Sequence, residues 1–170
     1  MKKAGLILVL SLMAMPVMAD DTSMNSLNDV PSGKGFIKEN NGMITRKSNY
    51  GVKETIDRLE AALKKKGITV AMRWSHSDKA EKVGIKVRPT ELLIFGNPKL
   101  GSNMFTANQT AGLDFPMKAL AWQDDKGQVW YTYNDPIYLA KRHGINDRDK
   151  VLSKMSKALA KFSSVATGNK

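Results

Sequence analysis

Two stretches in which apolar and polar side chains alternate, residues 117–124 and 128–134, face each other across Asp125-Lys126-Gly127. Alternation puts successive side chains on opposite faces of a strand, and a short link ending in glycine is what an antiparallel hairpin needs. A chain committed to a hairpin here must cover its apolar face with something else. The run GFIKENNGMITRKS supplies a second hairpin, with Asn40-Asn41-Gly42 at its turn and residues 43–48 as its second strand. Residues 68–74 and the apolar run TELLIF (90–95) read as further strands, the latter apolar enough to be central and covered, at least partly, on both faces.

Helices are marked by another spacing. Val52, Ile56, Leu59 and Leu63 recur three and four residues apart, and Gly67 supplies a stop, which predicts a helix over 52–66. Shorter helical segments are expected at 78–83, at 99–109 after Asn97-Pro98, and from Pro136 to a stop at Gly144. A longer amphipathic helix is expected over 149–165. Strands in runs, with few crossovers, predict an α+β fold: a two-layer α/β sandwich whose mainly antiparallel sheet carries helices on one face.

The first residues are read as an address. Lys2 and Lys3 precede an apolar run over 4–15, Pro16 interrupts it, and Val17-Met18-Ala19 leads into Asp20-Asp21. The run is too short for the roughly 20 residues of a spanning helix, and the pattern is that of a cleaved signal peptide over 1–19. No cysteine follows it, so a lipoprotein anchor has no attachment atom. A polar arm over 20–33 and one domain over 34–168 complete the expected organisation, in a soluble periplasmic or secreted protein. The chain has 0 cysteines and 2 histidines, which excludes disulfide frameworks, thiolate zinc sites, iron–sulfur clusters, cysteine nucleophiles and multi-histidine cages. No cofactor is expected.

Three segments carry a family resemblance: VRPTELLIFGNPKLG (87–101), AGLDFPMKALAWQD (111–124) and GQVWYTYNDP, which ends at Pro136. Their ordered Gly-Asn-Pro, Leu-Asp-Phe-Pro and Tyr-Asn-Asp-Pro punctuation resembles the bacterial and archaeal family called domain of unknown function 302, with a signature core over 76–136. The upstream GMITRKSNYGVKETIDRLEAALKKKGI and the downstream YLAKRHGI fit the same pattern. The resemblance implies a compact two-layer fold and a homodimer, and it implies no activity, because the family has none assigned. Against the family pattern, Ser75 stands where many relatives carry an acidic residue before the histidine, which argues against an acid–histidine dyad at that position. Gly51 stands where relatives often have a Ser or Thr cap, a structural difference only.

Candidate site residues are polar groups at strand ends: His76, Asn97, Asp114, Asp135 and His143. His76 in WSHSDK is either a loop histidine bonded to backbone or a base or ligand. His143 either caps the C-terminal carbonyls of a short helix or joins a site with Asp114 or Asp135. Asn97 and Asp135 precede prolines and suit turn or cap roles as well as ligand contact. Asp114, between two bulky apolar residues, either faces a cleft or caps the preceding turn. Metal-protease, nucleophile-elbow and phosphate-loop motifs are absent.

The formal charge of +11 comes from 27 Lys and Arg against 16 Asp and Glu. In an exported domain it does not imply nucleic acid. Lys150, Lys154, Lys157 and Lys161 stripe the last helix opposite its apolar residues, either as a solvated face or as a weak contact with an anionic membrane surface. The leading expectation is a non-enzymatic binding or accessory protein of the periplasm, taking a small polar or anionic ligand near the named residues. The alternatives are a hydrolase or isomerase using His76 with Asp114, and an envelope-association protein working through its basic surface. Processing is directly checkable. Intact mass of protein from the periplasmic fraction is expected to show Asp20 as the first residue, and a membrane-bound species retaining Met1 overturns the export reading.

Overall fold

The computed structural model describes residues 36–38 and 41–169. The expected signal peptide and polar arm, with residues 34, 35, 39 and 40 of the expected domain, lie outside the described residues. Among the described residues six strands form one sheet: β1 (Phe36–Lys38), β2 (Met43–Lys47), β3 (Thr69–Ser75), β4 (Thr90–Gly96), β5 (Met117–Gln123) and β6 (Val129–Asn134). Their order is β1-β2-β6-β5-β4-β3, and every pairing is antiparallel. The helices are α1 (Val52–Lys65), α2 (His76–Glu81), α3 (Pro98–Ala107), α4 (Pro136–Arg142) and α5 (Asp149–Thr167), with a 3₁₀ turn over Gln109–Leu113.

Both hairpins form where turn chemistry places them. Gly42 and Gly127 adopt φ of 82° and 80°, conformations that favour glycine. Gly42 is doubly constrained, since a Cβ there would lie 2.2 Å from the Tyr138 ring. The inward faces of the strands meet α1 and α5. Leu93, Ala119, Ala121 and Tyr131 are fully buried, against Ile56, Leu59 and Leu63 of α1 and Leu159 and Phe162 of α5. Arg46 is also nearly fully buried, and its Nη1 donates to Ser164 Oγ on α5 at 2.6 Å. Burial pushes the Tyr131 and Tyr133 phenols above the usual tyrosine range, and Asp135 adds to the rise at Tyr133.

The run at 90–95 is less central than expected. It is second from the sheet's β3 edge rather than central. Both of its faces are covered at least in part, as expected, but unequally: Leu93 and Phe95 are buried, while Leu92 and Ile94 lie half-buried on the face that carries no α1 or α5. The same outer face carries the cross-strand pair Trp122 and Trp130, whose rings stack with centroids 6.4 Å apart. Trp122 donates to Thr132 Oγ1 and Trp130 to Asp124 Oδ2.

At the β3 edge, Arg73 turns inward and gathers three carboxylates. Its Nη1 lies 2.6 Å from Asp57 Oδ1 and 3.2 Å from Glu60 Oε2, and its Nε lies 2.6 Å from Glu91 Oε1. Lys53 and Arg73 hold Asp57 below the usual carboxylate range, and Lys64 and Arg73 do the same for Glu60. Depressed folded-state values mean that this support is present above the ordinary carboxylate pKa, about 4, and is lost as pH falls below it.

The asymmetry of β4 predicts unequal costs. Leu93→Ala is expected to lower unfolding free energy by about 3 kcal/mol and Ile94→Ala by about 1 kcal/mol, measured by urea denaturation. Equal losses would mean that the outer face is as closely packed as the inner one.

Candidate functional site

Four of the five expected site residues lie at one end of the sheet. Met117 pairs with Phe95 and Met43 with Asn134, so the ends of β4 and β6 adjoin the start of β5. Asn97, Asp114, Asp135 and His143 all follow or precede these ends. Ser75 pairs with Glu91, which places His76 at the opposite end, exposed, as the first residue of α2. A site joining His76 to Asp114 or His143 is therefore ruled out by strand register, and with it the acid–base pair of His76 and Asp114. Ser75, in place of an acidic partner, is the N-cap of α2 and accepts from Asp78 N at 3.1 Å.

Asn97 and Asp135 cap helices. Asn97 Oδ1 accepts from Lys99 N at 3.0 Å with Pro98 in the first turn of α3, and Asp135 Oδ1 accepts from Ile137 N at 3.0 Å with Pro136 in the first turn of α4. A polar acceptor followed by proline is an efficient helix start, because the proline lacks the N–H that would otherwise need a partner. Asp135 is 1% exposed, too enclosed to meet a ligand in this arrangement.

His143 and Asp114 do meet. His143 is the C-cap of α4, with its backbone N–H bonded to the Leu139 and Ala140 carbonyls. Its Nε2 lies 2.7 Å from Asp114 Oδ2 and its Nδ1 2.9 Å from Thr110 Oγ1. Thr110 donates its hydroxyl to Asn108 Oδ1, and Asn108 Nδ2 returns to the His143 carbonyl at 2.8 Å. Arg142 Nη1 stands 3.4 Å from Asp114 Oδ2. The Asp–His–hydroxyl connectivity is that of a general-base relay, but the imidazole side chain is 5% exposed. A general base must reach the proton it removes. This one joins the end of α4 to the 3₁₀ turn and to the loop before β5. Sequence reasoning missed Asn108 and Thr110; their two-residue spacing, with Asn108 capping the 3₁₀ turn, is the local signal that could have found them.

Beside this tie lies a cavity of about 340 Å³ between β3, β4, α3, α5 and the Phe115-Pro116 loop. Phe95, Leu100, Phe105, Phe115, Met155 and Phe162 supply most of its apolar wall, and Thr69, Asn97 and Ser102 are its polar side chains. Gly96 lets the loops close over it, since a Cβ there would sit 3.0 Å from Pro116 Cβ. Of the expected site residues, Asn97 lines the cavity; Asp114, Asp135, His76 and His143 do not. Sequence reasoning missed the rest of the lining because apolar residues at helical or strand spacing look the same in a core and in a cavity wall. Among the described residues, no group of three or more His, Asp or Glu side chains is placed to hold a metal ion.

The tie has a measurable strength. His143→Ala is expected to cost about 2 kcal/mol of stability by leaving Asp114 half-buried without its partner. A double-mutant cycle with Asp114→Asn should give a clearly non-zero coupling, and additive losses would show that the contact contributes nothing.

Comparison with known proteins places the molecule. Two curated relatives are both called fluoride-specific ion channel FluC 1, from Brucella suis biovar 1 (strain 1330) and Brucella abortus biovar 1 (strain 9-941). Each is 45% identical over 104 residues, or 61% of this chain, and the match spans 41% and 38% of their respective lengths. The chain thus spans about two fifths of the length of these relatives. A crystal structure of an uncharacterized conserved DUF302 protein from Bacillus stearothermophilus superposes with a TM-score of 0.59 at 23% identity. It covers 75% of this chain and 96% of that one, a likeness of fold. The family model for the domain of unknown function DUF302 matches residues 44–162, and with the α+β sandwich described above this chain belongs to that family.

Proposed function

We propose that this chain is a non-enzymatic accessory module of the bacterial periplasm that binds a small, largely apolar molecule in the cavity between α3 and α5. The carrying observation is the cavity itself. About 340 Å³ is within the range of ligand pockets, and an apolar wall with a few polar groups at one side is their usual make-up. The ligand class differs from the polar or anionic one expected from sequence, because the polar strand-end residues are spent on caps and on the His143 tie. A hydrocarbon or aromatic body with one polar end toward Thr69 and Ser102 fits the lining.

The charged, apolar and small-residue pattern of residues 1–19 supports the periplasmic part of the proposal. The accessory part draws on the partial match to longer proteins named as channels. Among the described residues no helix is long and apolar enough to cross a membrane, so a module carried beside a membrane protein suits the likeness better than a pore. The homodimer implied by the family resemblance belongs to the same proposal.

The test uses anilinonaphthalene sulfonate as an apolar aromatic probe. Ala158 lines the cavity from α5, and Ala158→Phe would fill much of it. Parent protein is expected to enhance probe fluorescence, with affinity falling roughly tenfold or more in Ala158→Phe while the thermal midpoint holds. Undiminished binding in that variant places the probe elsewhere and overturns the proposal.

A further inference from the structure

Every residue from Glu81 to Pro89 is exposed, and three of them are aliphatic: Val83, Ile85 and Val87, at 71%, 58% and 45% of full exposure. This is an ordered segment. Val83 N bonds to Ala80 O, Gly84 N to Glu81 O and Ile85 N to Ala80 O, with Gly84 at φ 78° closing α2. Farther on, Arg88 Nε donates to Gln123 O at 3.1 Å. The backbone is thus held while its aliphatic side chains point into water.

Cations alternate with these aliphatics: Lys82, Lys86 and Arg88 flank Val83, Ile85 and Val87. Trp74, 39% exposed at the end of β3, adjoins the segment through α2, where Lys79 Nζ sits 4.7 Å over its ring. Met72 on the same strand is 49% exposed. Across 76–90 the charged side chains are Lys79, Lys82, Lys86 and Arg88 against Asp78 and Glu81, with His76 at the start and Glu91 just beyond, paired to Arg73.

We infer that this edge is a docking surface for an anionic lipid bilayer. Aliphatic side chains on a fixed loop, a tryptophan beside them and lysines interleaved among them are what a shallow membrane contact requires. The apolar groups enter the headgroup boundary while the ammonium groups meet lipid phosphates. A second copy of the chain is the less favourable occupant. A two-fold contact would set this cationic edge against itself, and like charges brought together out of water oppose association. The surface lies at the far end of the sheet from the apolar cavity, so its test stands apart from that of the proposed ligand.

The experiment uses the full chain as cells produce it. It is mixed with vesicles of phosphatidylcholine containing about a third phosphatidylglycerol, or of phosphatidylcholine alone, and read by co-sedimentation and tryptophan emission. Binding to the anionic vesicles with a blue shift that disappears in Trp74→Phe is expected. Replacing Lys82 and Lys86 by Gln should weaken binding by about thirtyfold, and Val83→Ser/Ile85→Ser/Val87→Ser by roughly tenfold or more. These side chains are exposed, so circular dichroism should show the variants folded. Lys154→Gln/Lys157→Gln on α5 should bind like the parent. No binding to anionic vesicles, or equal losses from the α5 pair, overturns the inference. A dimer in light scattering that the triple serine variant disperses also overturns it, by assigning the edge to a second copy.

Discussion

The fold rests on covering one face of an antiparallel sheet with two helices. α1 and α5 must lie close to strands whose inward side chains are very different in size. β5 offers Ala119 and Ala121, fully buried, while β6 offers Tyr131 and Tyr133 beside them. Small residues on one strand let the helices approach, and the tyrosines fill the remaining width, which is how an interior reaches close packing without overlap. The cavity forms at the margin of this layer. There α5 runs past the end of β4 and α3 leans in from the side, so Leu159 and Phe162 serve both the core and the cavity wall.

Much of this architecture was legible from local chemistry. The two hairpins follow from alternation and from Gly42 and Gly127. The capped starts of α3 and α4 follow from Asn97-Pro98 and Asp135-Pro136, and the end of α1 from Gly67. Those signals act over a few residues and do not depend on the rest of the molecule. The faces of β4 were not legible, because four apolar residues in a row carry no alternation. Leu93 and Ile94 are distinguished by where the helices lie, which is a tertiary fact.

The site shows the same division. Polar residues at strand ends are conspicuous in a sequence, and four of them do converge at one end of the sheet. Their work is mostly architectural: two cap helices, and His143 with Asp114 ties α4 to the approach of β5. His76 looked similar in sequence, but its distance from the others is set by strand register rather than by its neighbours. The cavity left little trace, since Phe105 and Phe115 resemble any core residues. Their edge-to-face arrangement, with centroids 6.4 Å apart, arises only when α3 folds back over the loop before β5.

Arg73 has a bearing on how the sheet ends. β3 is an outermost strand, and an open strand edge is a template on which another chain can extend the ladder. Here its register shifts between Val70 and Met72, and its one guanidinium points inward among Asp57, Glu60 and Glu91. An incoming strand would meet a kinked backbone anchored to α1 and β4 by charge, which cannot straighten without loosening those ion pairs. The bulge and the anchored guanidinium together make this edge a poor template for such growth. Acidification, which weakens the Asp57 and Glu60 contacts, would loosen that anchor.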